Sequence, residues 1–195
     1  MLLGVLVTGC GEQLPTLRPL AADAVVVAFG DSLTYGSGAA PEASYPTQLE
    51  HLIGRRVINA GVPGELAEEG AQRLDEILDE TQPALLLLCH GGNNLLRRRD
   101  GTTAVGPLRS MIAAARSRGA DVVLIAVPEP GLWLGPSDFY EALGTEFGVP
   151  VERKALSDIL SDSSLKSDAI HPNAAGYRKL AEAIARLLRR AGAVE

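Results

Sequence analysis

Little in this sequence points to a scaffold other than an ordinary hydrophobic core. Two cysteines among 195 residues cannot build a disulfide framework, and neither a CxxC pair nor a Cys/His cluster suggests zinc. Basic residues are outnumbered: 18 Lys and Arg against 24 Asp and Glu leave a formal charge of −6. That balance favours solubility and gives no footprint for a nucleic-acid partner. No apolar run approaches the ~18 residues that span a bilayer. Aromatic residues are scarce at 4%, only eight side chains in all (three Phe, one Trp, four Tyr). The glycines near Ser32 are not followed by Lys-Ser/Thr, no GxGxxG occurs, and the GxSxG elbow is missing. What is present is 46% hydrophobic and 22% charged residues, an ordinary globular composition, over a length that suits one domain.

The N-terminus stands apart from that domain. Met1 to Gly9 (MLLGVLVTG) is apolar and uncharged, and Cys10 and a polar, Pro-containing stretch follow. The apolar run, the small residues Thr8 and Gly9, and then Cys10 resemble the end of a bacterial lipoprotein signal, although no Lys or Arg precedes the run. The resemblance implies lipidation at Cys10, a signal and tether over residues 1–22 with the tether from residue 11, a catalytic domain over residues 23–195 and a periplasmic or cell-envelope location. Without a signal the location is cytoplasmic. Cys89, in the run LLLLC, reads as a small buried hydrophobe.

From Ala24 onward, short apolar runs alternate with amphipathic segments. Strands are predicted at Ala24–Phe29, Val57–Ile58, Ala84–Cys89 and Asp121–Val127. Helices are predicted at Tyr45–Ile53, from Ala67 to Leu78, from Val105 to Gly119 as C′ residue, at Ser137–Phe147, and from Tyr177 to Leu188. The strands are apolar throughout rather than alternating, which fits a parallel sheet covered on both faces. The expected fold is therefore a single α/β domain.

In such a sheet, ligands bind beyond the carboxyl ends of the strands. The residues expected there are Gly30-Asp31-Ser32-Leu33, then Gly61, then Gly91-Gly92-Asn93-Asn94. Together they offer a hydroxyl, a glycine amide and a carboxamide, which is a serine nucleophile with donors for an oxyanion. The hydroxyl needs a base, and there are three histidines. His51 falls within an amphipathic helix and reads as structural. His90 ends a strand beside two glycines that suggest a tight turn. His171 sits in Asp168-Ala169-Ile170-His171-Pro172 at the entry to the last helix, with Pro172 suited to its first turn. Spacing of three lets Asp168 reach the imidazole, although Asp168 could equally cap the helix.

The order GDSL, Gly61, GGNN and DAIHP resembles the GDSL esterases of the SGNH hydrolase superfamily, over residues 24–190. The resemblance is nearest to the small bacterial arylesterases, lysophospholipases and acyl-CoA thioesterases. It implies a flavodoxin-like three-layer α/β/α sandwich. It also implies Ser32 as nucleophile, His171 as base and Asp168 as its orienting acid. The Ser32 and Gly61 amides and the Asn93 side chain would form the oxyanion hole. Asn94 departs from the family, which usually has Asp there.

The implied reaction is hydrolysis of a small-molecule ester, thioester or lysolipid, with no metal or organic cofactor. Leu33 and Tyr35 beside Ser32, and Leu132, Trp133 and Leu134 after the fourth strand, are candidate substrate contacts. Phe139 and Tyr140 share that region. Arg97, Arg98 and Arg99 follow Asn93 and read as a solvated surface loop. Two rivals stand beside this reading: a carbohydrate O-deacetylase of the same superfamily, and a non-catalytic lipid-binding lipoprotein.

Overall fold

The computed structural model describes residues 14–97, 101–129, 135 and 137–195. Cys10, Arg98, Arg99, Leu132, Trp133 and Leu134 lie outside the described residues. Five parallel strands, β1 (Val25–Gly30), β2 (Arg56–Gly61), β3 (Leu85–Cys89), β4 (Asp121–Ile125) and β5 (Val151–Glu152), form one sheet in the order β2-β1-β3-β4-β5. Among the described residues there are eight α-helices: α1 (Ser32–Tyr35), α2 (Tyr45–Ile53), α3 (Ala67–Thr81), α4 (Gly92–Leu96), α5 (Val105–Ser117), α6 (Asp138–Phe147), α7 (Ala155–Ser161) and α8 (Ala174–Arg190).

The strand order dictates the layers. The chain moves from β1 outward to β2, then crosses back over β1 to β3. Right-handed crossovers therefore place the helices before and after β2 on opposite faces. Accordingly α2 packs on α8 and α8 on α7, while α3 packs on α5 and α5 on α6. Leu85 to Cys89 are buried on both faces, as a fully covered strand requires. Cys89 is a free, fully buried thiol.

Strand β5 and helices α1, α4 and α7 have no counterpart in the sequence reading. Each has at most seven residues, too short to carry a hydrophobic period. Pro172 lies outside the last helix rather than in its first turn. Asn173 is the N-cap, its side chain accepting from the Gly176 N–H, and Pro172 bridges to Lys166 in the loop before it. Phe139 and Tyr140 belong to α6, within the helix predicted at Ser137–Phe147. Phe139 packs against the core, and buried Tyr140 donates its hydroxyl to the His90 carbonyl at 2.6 Å.

Residues 14–22, expected within a tether, lie against the domain. The Leu17 and Leu20 N–H groups donate to the carbonyls of Ala191 and Ala193, each at 2.8 Å. Arg18 reaches Asp121 at the start of β4. Among the described residues, no helix is long and apolar enough to cross a membrane.

Candidate active site

The chain reverses its direction of travel across the sheet at β1, so the crevice between β1 and β3 is the topological switch point where such sheets bind ligands. Register brings three strand ends level there, because Gly30 faces Gly61 on one side and Cys89 on the other. Glycine at 30 is a packing necessity: a Cβ would overlap the Cys89 carbonyl oxygen and Thr34 Oγ1. Beyond it, buried Asp31 caps α1, its Oδ1 accepting the Leu33 N–H at 3.0 Å. Ser32 thus becomes the first residue of a helical turn. Its own N–H has no acceptor among the described residues, as expected at that position.

The loop before α8 comes up beside it. His171 Nε2 lies 3.0 Å from Ser32 Oγ, and His171 Nδ1 lies 2.8 Å from Asp168 Oδ2. Asp168 Oδ1 accepts the Ile170 and His171 N–H groups at 2.8 and 2.9 Å. Asp168 therefore closes its own loop and does not cap α8. Partial burial pushes the Asp168 carboxyl up, but hydrogen bonds from the His171 ring and the two amides outweigh this and hold it below its ordinary value. The loop is tied further by the Ser167 N–H donating to the His171 carbonyl, and by Asn173 Nδ2 donating to the Ser164 carbonyl, both at 2.9 Å.

The other residues expected at the site divide. Asn93, on α4, is there: its Nδ2 donates to Asp31 Oδ2 at 3.2 Å and to the Glu65 carbonyl at 2.9 Å. Burial, the largest influence on Asp31, raises its carboxyl pKa against the opposing pull of His90, the Leu33 amide and His171. Gly61 is engaged elsewhere, its N–H donating to Asn59 Oδ1 at 3.0 Å. The next loop offers a different amide. Residues Val62–Glu65 form a turn closed by the Glu65 N–H on the Val62 carbonyl, with Gly64 at φ +80. Pro63-Gly64 at its centre is the signature of a type II turn, which demands positive φ at the glycine. The Gly64 N–H has no acceptor among the described residues.

Asn94, the departure from the family, is fully buried and structural. Its Oδ1 accepts the Ala67 N–H at the start of α3, and its Nδ2 donates to Glu68 Oε2 at 2.8 Å and Thr103 Oγ1 at 3.2 Å. A carboxamide suits this place because it accepts through Oδ1 and donates through Nδ2 at once.

A crevice of about 320 Å³ opens over Ser32, lined on its apolar side by Leu33, Leu96, Val127, Leu160, Ala169 and Ile170. Tyr35 is exposed and does not line it. The large apolar side chains left exposed among the described residues, Tyr35, Val62, Leu96 and Ile170, each fall within three positions of Ser32, Gly61, Asn93 or His171. The larger cavity, about 790 Å³ between α7 and α8, is lined mainly by charged side chains and lies away from this chemistry. Arg97 is exposed and donates to the Gly64 carbonyl at 3.3 Å. His51 is exposed on α2. His90 is wholly buried, its Nε2 2.9 Å from Glu65 Oε2. Glu65 and Arg73, which surround that contact, went unnoticed in the sequence. No group of three potential metal-ligating side chains occurs among the described residues.

A hydroxyl bonded to an imidazole that is bonded in turn to a carboxylate, at the switch point of a doubly wound sheet, is the arrangement of a serine hydrolase. The chain belongs to the GDSL-like lipase/acylhydrolase family, whose model matches residues 28–179. It is 29% identical to esterase TesA of Pseudomonas aeruginosa over 191 residues, covering 91% of this chain and 94% of that protein. It is also 29% identical to thioesterase 1/protease 1/lysophospholipase L1 of Escherichia coli K12, over 82% of this chain and 80% of that one. Among solved structures, the crystal structure of TesA superposes with a TM-score of 0.80 at 26% identity, covering 86% of this chain and 99% of that one.

Proposed function

We propose that this protein hydrolyses esters and thioesters of apolar acyl groups through an acyl-enzyme on Ser32. The observation that carries the reading is the unbroken chain Ser32 Oγ–His171 Nε2–His171 Nδ1–Asp168 at 3.0 and 2.8 Å. Ser32 Oγ attacks the carbonyl carbon as His171 Nε2 takes its proton. Asp168 holds the Nδ1–H tautomer and stabilises the imidazolium. His171 then protonates the leaving alkoxide or thiolate, and water, activated by the same imidazole, releases the acid.

The donors proposed for the oxyanion are the Ser32 N–H, Asn93 Nδ2 and the Gly64 N–H. Gly64 replaces the expected Gly61, whose N–H is already engaged by Asn59. The apolar walls of the crevice support an acyl chain rather than a sugar, which disfavours the deacetylase reading. The names of the relatives, a thioesterase/lysophospholipase and an esterase, support the same substrate class.

The test is fluorophosphonate labelling together with a panel of p-nitrophenyl esters from acetate to laurate. Ser32→Ala is expected to abolish labelling and to lower kcat by at least ~10⁴. Full activity in that variant would end the proposal.

A further inference from the structure

Beneath the oxyanion side of the crevice lies a cluster of charged groups that the reaction does not touch. Glu65 is buried, its side chain 7% exposed. Arg73 of α3 grips both its oxygens, Nε on Oε1 at 2.6 Å and Nη2 on Oε2 at 2.7 Å. His90 completes the set. Its Nδ1 accepts the Gly91 N–H at 3.2 Å, so the hydrogen-bond pattern assigns the ring proton to Nε2, which donates to Glu65 Oε2 at 2.9 Å. Room for this ring is made on α3, where a Cβ at Gly70 would collide with His90 Nε2. Arg73 also stacks 4.1 Å over the Phe29 ring and donates to the Ala60 carbonyl at 2.9 Å.

A buried ion pair is weak evidence for stability, since desolvation consumes most of its attraction. What distinguishes this one is what Glu65 holds with its backbone. Its N–H closes the turn that carries Gly64, and its carbonyl accepts one hydrogen of Asn93 Nδ2 at 2.9 Å. The other Nδ2 hydrogen goes to Asp31 at the longer distance of 3.2 Å. The two acceptors hold the nitrogen, not the oxygen, of the carboxamide toward Asp31, which itself lines the crevice. The shorter bond anchors the nitrogen, and the longer one is the hydrogen available for sharing with a developing oxyanion.

Resting on the acyl-transfer reading above, we propose that Glu65, clamped by Arg73 and His90, is a positioning residue that sets Asn93 and the Gly64 turn for the oxyanion. Arg73 acts through Glu65 and touches no reacting atom. Donors of this kind stabilise charge only where it develops, so misplacing them lowers the rate of chemistry and leaves substrate binding alone.

The experiment compares Arg73→Met in the wild-type and Asn93→Ala backgrounds, using p-nitrophenyl butyrate and phenylboronic acid, whose Ser32 adduct mimics the tetrahedral intermediate. With the fold verified by circular dichroism, Arg73→Met is expected to lower kcat by about 10–10²-fold while KM changes by less than about threefold. Affinity for the boronic acid falls in parallel. In the Asn93→Ala background the same substitution lowers kcat by a clearly smaller factor, because one of the two donors it positions is gone and only the Gly64 turn remains to be misplaced. Arg73→Lys, which keeps the charge but not the two-oxygen grip, recovers part of the rate.

An unchanged kcat in folded Arg73→Met, or equal losses in both backgrounds, overturns the proposal. Should Arg73→Met fail to fold, the isosteric Glu65→Gln is read by the same criteria. Fluorophosphonate labelling of the unsubstituted enzyme separates the two levels: absence of labelling removes the acyl-transfer reading itself, whereas labelling with a kcat indifferent to Arg73 removes only the positioning role.

Discussion

Replacing Asp168 with Asn tests the catalytic proposal at the level of a single proton. The Asp168 Oδ1 position is fixed by two backbone donors, the Ile170 and His171 N–H groups at 2.8 and 2.9 Å. An Asn oxygen must occupy that position. The opposite rotamer would set an NH₂ group against two N–H donors and leave them unsatisfied, at about 1–3 kcal/mol each. The Asn NH₂ therefore faces His171 Nδ1, where the carboxylate now lies at 2.8 Å. An imidazole nitrogen facing a donor must accept, so the ring proton moves to Nε2. That nitrogen lies 3.0 Å from Ser32 Oγ and can then donate to the hydroxyl but cannot take its proton. A wrong tautomer in a serine triad costs about 10⁴ in kcat, or roughly 5.4 kcal/mol of barrier at 1.36 kcal/mol per tenfold.

Asp168→Ala provides the control. The Asp168 side chain is 54% exposed, so its removal lets water accept the Nδ1 hydrogen. Part of the population then keeps the productive tautomer, and Asp168→Ala is expected to retain more activity than Asp168→Asn. The assay is the initial rate of p-nitrophenyl butyrate hydrolysis from pH 6 to 9, with folding followed by circular dichroism. Raising the pH does not rescue Asp168→Asn, because the defect is the position of a proton on a neutral ring. An Asn variant within tenfold of wild type, or an equally folded Ala variant slower than Asn, refutes this reasoning.

Two further outcomes concern the scaffold. Gly30→Ala places a Cβ onto the Cys89 carbonyl in a strand paired on both sides, where the backbone has little room to move. It should destabilise the fold by about 3 kcal/mol, at the upper end for overpacking, and a change under 1 kcal/mol in urea denaturation would contradict the packing argument. Glu65 titrates in the opposite sense from a merely buried acid. Burial, its largest single influence, raises it, yet hydrogen bonds from His90 and Arg73 and the guanidinium charge bring it below its ordinary 4.5. A depressed carboxylate contributes stability that is present above that ordinary value and is lost as pH falls through the folded one. The stability advantage of wild type over Glu65→Gln is therefore largest near neutrality and shrinks on acidification. A gap that stays constant or widens between pH 7 and pH 3 would be inconsistent with the clamp.

Strands β1, β3 and β4 were legible as nearly continuous apolar runs between breakers, whereas β2 showed only Val57–Ile58 of Arg56–Gly61, and the candidates Ser32, Asn93, Asp168 and His171 stood out because the order of their motifs resembles a known family. The pieces that escaped are those whose signal is not periodic. Helices α1 and α4, four and five residues long, carry Ser32 and Asn93 and are too short to show a hydrophobic stripe. Gly61 and Gly64 look alike in sequence. In the structure Gly61 ends β2 with its N–H on the Asn59 side chain, whereas Gly64 sits in the following turn at φ +80 with its N–H clear. Glu65 carried no motif at all; its eight-residue offset from Arg73 acquires meaning once α3 folds back over the loop. Pro172 read as a helix start because Pro favours that place, but the competing Asn173 side chain captured the cap.

The hydrogen bonds from Leu17 to Ala191 and from Leu20 to Ala193 make the two ends of the described chain neighbours, beside the amino ends of the strands. Ser32 lies at the carboxyl ends, the full length of the sheet away. From Leu14 to Glu195 the chain is in effect a nearly closed ring whose clasp is remote from Ser32. A short linker could complete that ring and a new opening be made at exposed Gly54, between α2 and β2, yielding a circular permutant with its catalytic pole untouched. The same geometry means that a body attached at Leu14 or at Glu195, whether bead, surface or second protein, would leave the mouth of the crevice facing outward.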